Sequence, residues 1–298
     1  MLNRDAGVRT WGGQSMWTPL RRVLVRTPTA SFAVSDPDDW GYSARPDLPA
    51  ARAEHARLVG LLESAGVEVL HHDAELPELA DSIFVYDGVL ITDGGAVVLR
   101  PGKEARRGEE LGLANRLEDL GVPILGRIRD EATVEGGDLL WLDPGHLVVG
   151  RSFRTNGEGL RQLREILGPQ GVEVSEAHLP VHSGSGHCLH LLSLVSLLDR
   201  DLAVVYPPLL PVPLWLELRR RGFQIVEVPD EEFATQGPNV LALGPRRVVV
   251  LDGSPQTRRR LESVGCQVQS YRGDEISHKA EGGPTCLTLP IHRAGATP

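Results

Sequence analysis

EGGDLLWLDPGHLVVGRSFRTN, residues 135–156, contains two apolar segments, DLLWL and HLVVG, on either side of an Asp-Pro-Gly turn. Apolar runs that flank such a turn predict a pair of antiparallel strands. The following segments predict a helix at 158–168 (EGLRQLREILG) and a further strand at 172–180 (VEVSEAHLP). The stretch therefore defines a unit of two strands, a helix and a third strand.

The same order of elements recurs along the chain. The segment DSIFVYDGVLITDGGAVVLRPG at 81–102 repeats it, with an Asp-Gly-Gly turn between its strands. We expect five units, with approximate bounds 21–80, 81–134, 135–187, 188–238 and 239–290. The first unit lacks a leading strand, and CLTLP at 286–290 is left over to complete it.

Regular spacing supports a closed ring of these units. Polar or reactive residues stand near the entrance of each unit at intervals of 57, 52, 49 and 47 residues: Asp81, Asp138, His190, Asn239 and Cys286. A repeat of this period is typical of propellers and solenoids. A C-terminal strand that completes the first unit closes the ring and leaves no free edge. We predict an α/β fold, a five-bladed α/β propeller of ββαβ units around a central active site, as a single domain over 1–298.

Composition narrows the classes of function. The formal net charge is −9, so nucleic acid and anionic membranes are poor partners. The three cysteines form no metal-type pair, and Cys188 and Cys266 are expected to be buried apolar residues. The N-terminus lacks the apolar centre of a signal peptide, and no run of about 18 apolar residues occurs. We expect a cytoplasmic protein; a homodimer is possible, although nothing in the sequence marks an interface.

Seven short motifs follow one another in a fixed order: DSIFVYD, LRPGKEARRGE, VEGGDLL, FRTN, LHL, GPN and EGGPTC. In this order they resemble the guanidine-modifying enzymes of the pentein superfamily, over about residues 21–290. The pattern is most similar to the dimethylarginine dimethylaminohydrolases; arginine deiminases and amidinotransferases belong to the same superfamily. The resemblance implies a hydrolase that needs no cofactor or metal. It would act on arginine or an N-methylated arginine and release citrulline with ammonia or an amine.

The resemblance also implies the reacting groups. Cys286 matches the nucleophile that forms a covalent thiouronium intermediate, and His190 matches the general acid and base. Glu135 matches a carboxylate that grips the guanidinium and could orient the histidine. His182 and His187, in the preceding loop, are rivals of His190, but a strand position favours His190.

Five further residues match substrate-binding positions. Asp87 would be a second carboxylate on the guanidinium, whose planar fork of N–H donors two carboxylates can recognise. Asp81 would bind the α-ammonium, and Arg100 and Arg154 the α-carboxylate. Glu281 would lie next to the guanidine group.

The chain also departs from the family pattern. It has Tyr86 before Asp87, where the dimethylarginine enzymes have a glutamate, and the role of Asn239 stays open. Segments 11–20 and 40–49 lie outside the pattern and could form a lid. An amidinotransferase and an arginine dihydrolase are alternative functions. A non-catalytic pentein binding factor is disfavoured, because the chain keeps the cysteine, the histidine and both guanidine-facing carboxylates.

Overall fold

A computed structural model describes residues 9–34, 36–184 and 189–295. The strands are β1 (Leu20–Val25), β2 (Glu68–His71), β3 (Val89–Ile91), β4 (Ala96–Val98), β5 (Ile124–Arg127), β6 (Leu139–Asp143), β7 (His146–Arg151), β8 (Glu173–His178), β9 (Val195–Asp199), β10 (Leu202–Val205), β11 (Gln224–Glu227), β12 (Leu241–Gly244), β13 (Arg247–Leu251), β14 (Gln267–Tyr271) and β15 (Leu289–Arg293). The α-helices are α1 (Leu48–Ser64), α2 (Glu109–Asp119), α3 (Gly157–Leu167), α4 (Val212–Arg220) and α5 (Pro255–Ser263).

The described residues form five three-stranded sheets, each with one α-helix between its second and third strands. In the sheet of β6, β7 and β8, the first pair is antiparallel, with Leu140 opposite Val148. The second pair is parallel, with Leu147 opposite Val174, and α3 supplies the crossover that parallel strands require. The predicted ββαβ unit and the five-fold α/β propeller are confirmed.

The two ends of the chain meet in one sheet. Strand β15 pairs antiparallel with β1, with Val23 opposite Pro290, and β1 pairs in parallel with β2. This pairing confirms that the C-terminal strand completes the first unit. The strand was, however, expected at 286–290 and begins at Leu289; Cys286 lies in a turn before it.

Apolar stripes hold the units together. In α3, Leu160, Leu163 and Leu167 are buried at helical spacing, as an amphipathic helix requires. One apolar cluster includes Leu140 of the third unit, Leu197 of the fourth and Val248 of the fifth, although the single-domain organisation over the whole chain stays a prediction.

The loops that enter the units differ in length, and this corrects the equivalence expected from even spacing. Asp138 directly precedes β6, whereas Asp81 lies eight residues before β3, in a short 3₁₀ helix. Asp87, two residues before β3, is the closer counterpart of Asp138. Among the helices of the described residues, none combines the length and the apolar character that a membrane span needs.

Candidate active site

A cavity of about 550 Å³ opens where several of these entrance loops meet. Seven of the eight predicted site residues line it: Asp81, Asp87, Glu135, Arg154, His190, Glu281 and Cys286. The fold therefore brings together residues that lie up to 205 positions apart, between Asp81 and Cys286. Their roles stay predictions at this point, and the geometry below is the basis for proposing them.

His190 and Glu135 form a close pair. His190 Nε2 lies 2.7 Å from Glu135 Oε2, and the Glu135 side chain is completely buried. Glu135 Oε1 accepts a hydrogen bond from the backbone N–H of Lys103 at 3.1 Å and lies 3.4 Å from Arg154 Nη1. Burial alone would raise the pKa of Glu135, but the hydrogen bond and charge of His190, with the charges of Arg106 and Arg154, hold that pKa well below its usual range. Glu135 is therefore an anion that fixes the imidazole ring.

The two glycines after Glu135 make this pair possible. A Cβ on Gly137 would lie 2.3 Å from His190 Nδ1, and one on Gly136 would lie 2.1 Å from the carbonyl oxygen of Tyr86. Both distances are far inside van der Waals contact. The EGG sequence is thus required because the loop passes directly beneath the imidazole.

Asp138 braces the loops that carry this pair. Its Oδ1 accepts a hydrogen bond from the backbone N–H of Leu191 at 3.0 Å, and its Oδ2 accepts one from Ser152 Oγ at 2.7 Å. Burial raises the pKa of Asp138 to about 6, against the opposing charge of His190 and these hydrogen bonds. Leu191 begins a short 3₁₀ helix, so His190 precedes a turn. The expectation that His190 lies on a strand is therefore wrong.

Cys286 faces the cavity from the turn before β15. Burial and the charge of Asp87 raise the pKa of its thiol, while His190 and a hydrogen bond from Asn239 oppose that rise. Asn239 Nδ2 lies 3.4 Å from Cys286 Sγ, and Asn239 Oδ1 accepts a hydrogen bond from the backbone N–H of Thr285 at 3.1 Å. The raised pKa favours the protonated thiol over the thiolate. The contact with Cys286 places Asn239, whose role the sequence left open, beside the sulfur.

A second pair of glycines, before Cys286, packs as tightly. A Cβ on Gly282 would lie 2.1 Å from the Phe84 ring, and one on Gly283 would lie 2.4 Å from Asn239 Cγ. Glu281, at the exposed edge of the cavity, has a φ of +59°, in the left-handed region that few non-glycine residues adopt. The turn that presents the sulfur is therefore defined by close packing on both of its glycines.

Asp87 is held by a buried arginine that the sequence reading did not include. Arg106 Nη1 lies 2.6 Å from Asp87 Oδ2, and Asp87 Oδ1 accepts a hydrogen bond from the backbone N–H of Gly137 at 2.8 Å. Arg106 also lies 2.8 Å from Glu109. Burial raises the pKa of Glu109 to about 8, although Arg106 pulls it down. The signal was present in the RRGE motif, where an arginine precedes a glutamate by three residues, a typical helical ion-pair spacing.

Asp81 has both carboxylate oxygens engaged. Tyr42 Oη donates to Oδ1 at 2.8 Å, and Lys103 Nζ donates to Oδ2 at 2.7 Å. Lys103 Nζ also donates to the carbonyl oxygen of Trp40 at 2.7 Å and lies 4.9 Å from the centre of the Trp40 ring. Trp40 and Tyr42 line the cavity, as the expected lid segment 40–49 would, whereas Lys103 was not predicted.

Two expectations about cavity-lining groups are not supported. Arg100 does not line the cavity, because its Nη1 donates to the carbonyl oxygen of Ala132 at 3.2 Å and its backbone pairs with Val134; its role at a substrate carboxylate has no basis in this geometry. Segment 11–20 does not line it either. Met16 lies beside the Tyr86 hydroxyl at a separate internal cavity of about 40 Å³.

The rival residues lie elsewhere or outside the described residues. The His182 ring packs edge-on against Phe233, 5.6 Å between centres, and does not line the cavity. Cys266 is buried, as expected, and burial raises the pKa of its thiol. His187 and Cys188 lie outside the described residues.

One grouping of side chains among the described residues has ligand atoms close enough together to hold a cation. Ligand atoms of Asp87, Glu135 and His190 lie within 4.8 Å of one another. These side chains already have partners within the protein, because Asp87 pairs with Arg106 and Glu135 pairs with His190. Carboxylates so placed suit a planar guanidinium as well as a metal ion, and the expectation that no metal is needed stays a prediction.

Comparisons with known proteins identify relatives over most of the chain. The model of the eukaryotic family described as N,N dimethylarginine dimethylhydrolase matches residues 38–293. The N(G),N(G)-dimethylarginine dimethylaminohydrolase of Pseudomonas aeruginosa is 29% identical over 271 residues, which cover 90% of this chain and 98% of that protein. An uncharacterized protein of Aeropyrum pernix is 33% identical over 279 residues, 91% of this chain and 95% of that one.

Solved structures show the same relationship. A mutant DDAH from P. aeruginosa complexed with citrulline has a TM-score of 0.76 and 27% identity, and covers 92% of this chain and 100% of its own. SxtG, an amidinotransferase from Microseira wollei, has a TM-score of 0.80 at 16% identity, covering 96% of this chain and 98% of its own; at that identity it shows the fold alone.

Proposed function

The chain belongs to the N,N dimethylarginine dimethylhydrolase family, and from this membership we propose that it hydrolyses the guanidine group of arginine or an N-methylated arginine. The products would be citrulline and either ammonia or an amine. The observation that carries the proposal is the position of Cys286, His190, Glu135 and Asp87 around one cavity. They supply a nucleophile, a proton carrier and two acceptors for a flat cation.

Asp87 and Glu135 would bind the guanidinium. Each carboxylate oxygen can accept more than one hydrogen bond, so both residues keep acceptor capacity beyond their bonds to Arg106 and His190. These internal bonds fix the carboxylates before the substrate arrives, so the two side chains lose little conformational freedom on binding. The guanidine carbon would then lie between the acids and the sulfur of Cys286.

In the proposed mechanism the thiolate of Cys286 attacks the guanidine carbon. Burial and Asp87 raise the pKa of the thiol, so the resting enzyme holds it protonated. A bound guanidinium places positive charge beside the sulfur and lowers that pKa. Substrate binding would therefore promote ionisation of its own nucleophile.

His190 then handles the protons. It takes the proton that Cys286 loses on ionisation and donates it to the departing ammonia or amine as the carbon–nitrogen bond breaks, which leaves a thiouronium on Cys286. It next takes a proton from water, whose oxygen attacks the same carbon and releases the ureido product and the thiol. Glu135, held 2.7 Å away, keeps the ring oriented through both steps.

A substrate panel tests the reaction. Purified protein is incubated with arginine, monomethylarginine, dimethylarginine and agmatine, and the ureido product is measured colorimetrically. We expect product from at least one arginine compound, none from the Cys286→Ser variant, and unchanged turnover in Cys266→Ser, because Cys266 lies away from the cavity. Product that persists without the thiol of Cys286 would rule out the covalent route. Failure of every guanidine, together with a thiol inert to alkylation, would favour a non-catalytic binding protein.

The ionisation step has its own measurement. The rate of Cys286 alkylation is followed against pH with and without a slowly processed guanidine, using thiolate absorbance as a second signal. We expect the apparent thiol pKa to fall when the cation is bound. A titration that is the same in both conditions would count against substrate-promoted ionisation. An added acceptor amine that captures the amidino group in place of water would identify the alternative transferase reaction.

A further inference from the structure

The ammonium of Lys103 binds the carboxylate of Asp81, which was expected to bind the α-ammonium of the substrate. Lys103 Nζ lies 2.7 Å from Asp81 Oδ2, and the two side chains are only 17% and 8% exposed. Tyr42 Oη occupies the other oxygen of Asp81 at 2.8 Å. The negative charge of Asp81 is thus already compensated by a group of the chain itself.

A second ammonium at this place would meet unfavourable charges. It would have to share Asp81 with Lys103, and Arg106 Nε already lies 3.9 Å from the same oxygen. Like charges at such distances repel, and partial burial weakens the screening by water. The two other acids at the cavity outside the guanidine-binding pair, Asp38 and Glu281, are exposed, so they attract a cation only weakly.

Lys103 is also held in place from a second direction. Its ammonium donates to the carbonyl oxygen of Trp40 and lies 4.9 Å from the centre of that ring. Its backbone N–H donates to Glu135 Oε1. The position of the ammonium is therefore defined by bonds to Asp81 and Trp40, and its backbone is tied to the guanidine-binding end of the cavity.

Two side chains at this end can donate hydrogen bonds to an anion, although each is already paired with an acid, Lys103 with Asp81 and Arg154 with Glu135. Lys103 and Arg154 both line the cavity, with side chains 17% and 15% exposed. A substrate carboxylate would gain charge-assisted hydrogen bonds from either group. Since Lys103 compensates the negative charge of Asp81, the substrate needs no ammonium next to its carboxylate to do so.

We propose that Lys103 takes the place of a substrate α-ammonium, so that this cavity selects ω-guanidino carboxylates without an amino group beside the carboxylate. The inference rests on the proposed guanidine hydrolysis but changes its preferred substrates from arginine and the N-methylated arginines to their des-amino counterparts, so the product would be a ureido acid in place of citrulline. Lys103 is then a specificity-determining residue, and Asp81 holds it in position.

The test compares two substrates that differ only in the α-amino group. Monomethyl-L-arginine and its des-amino analogue, a methylguanidino-pentanoate, are assayed for ureido product with the wild type, Lys103→Met and Lys279→Met. Lys279 is a matched control, since it also pairs with a carboxylate, Glu275 at 2.7 Å, but does not line the cavity. We expect the wild type to favour the des-amino compound in kcat/KM. We expect Lys103→Met to shift the ratio at least about tenfold toward the α-amino compound, the size of one lost charge–charge preference, and Lys279→Met to keep the wild-type ratio.

A tenfold preference of the wild type for the α-amino compound would overturn the inference. So would a ratio that Lys103→Met changes no more than Lys279→Met does. If no guanidine is turned over, the proposed function fails, and specificity is then measured by how each compound protects Cys286 from alkylation. Stronger protection by the des-amino compound, lost in Lys103→Met, would support the role of Lys103, and equal or absent protection would refute it.

Discussion

Replacing Gly137 with alanine should displace His190 while every functional side chain stays in the protein. The added Cβ would lie 2.3 Å from His190 Nδ1 and 2.6 Å from Cγ, whereas ordinary contact begins at 3.4 Å. The ring has to move by about 1.1 Å to relieve the overlap. Gly137 does not have a positive φ, so the alanine backbone adds no strain of its own. The three atoms nearest to the added Cβ all belong to His190, so the perturbation is steric and acts first on that side chain.

The size of the effect follows from that displacement. The hydrogen bond from His190 Nε2 to Glu135 Oε2 is 2.7 Å long, and a shift of about 1 Å in the ring would stretch or break it. A misplacement of about 1 Å costs on the order of a hundredfold in rate. We expect kcat to fall by about that factor with KM changed little, because Asp87 and Glu135 still bind the guanidinium. Overpacking should lower the free energy of unfolding by about 1–3 kcal/mol.

The assay is steady-state turnover combined with urea unfolding. The control is Gly60→Ala on α1, where no atom lies within 4 Å of the added Cβ, and which should leave kcat unchanged. In a His190→Ala background the ring is absent, so Gly137→Ala should cost at least about 1 kcal/mol less than in the wild type. Activity of Gly137→Ala within threefold of wild type, or an unchanged unfolding cost without the imidazole, would refute the reasoning.

Three further predictions concern the groups around the cavity. Asn239→Ala should slow alkylation of Cys286 about fivefold at about pH 8, because a lost hydrogen bond of about 1 kcal/mol raises the thiol pKa; a pH profile of alkylation measures it, and an unchanged profile would disagree. Arg106→Met should lower the free energy of unfolding in urea by about 3–5 kcal/mol, because the buried carboxylate of Asp87 loses its cation. Arg107→Met, at an exposed pair, should cost less than about 1 kcal/mol, and equal costs would contradict the argument. Glu109→Gln should gain stability relative to wild type as pH rises from about 5 to 8, by at most about 1.4 kcal/mol per pH unit. Burial raises the folded pKa of Glu109 to about 8, so the wild type loses that contribution across this window; parallel pH curves would argue against it.

The repeat was readable from sequence because the turns and apolar runs that define it are local. The Asp-Gly-Gly turn, for example, is closed by a hydrogen bond from the backbone N–H of Thr92 to the carbonyl oxygen of Gly95, whose φ is +145°. Strand ends were less predictable. CLTLP was expected to be extended from Cys286, yet Thr288 Oγ1 donates to the carbonyl oxygen of Pro284 and bends the chain into a turn. Apolar patterns do not record such side-chain bonds to the backbone, so the strand starts three residues later than expected.

The cavity-lining cations that the sequence did not predict were missed for a different reason. The expected site contained four acids, at Asp81, Asp87, Glu135 and Glu281, against two arginines, of which Arg100 turned away from the cavity. Three of the acids are buried.

Buried carboxylates are stable only with cations or donors close by, so the first three acids required more positive charge than the prediction supplied. The structure supplies it through Arg106, bound to Asp87, and Lys103, bound to Asp81. A charge balance of the predicted site would have shown that cations were missing. It could not have shown which ones, because the sequence does not specify how the loop after β4 places Lys103 beside Asp81 and Arg106 beside Asp87. Their identity matters beyond stability, since a cation that compensates a buried acid also decides which charge a substrate can bring to the same place.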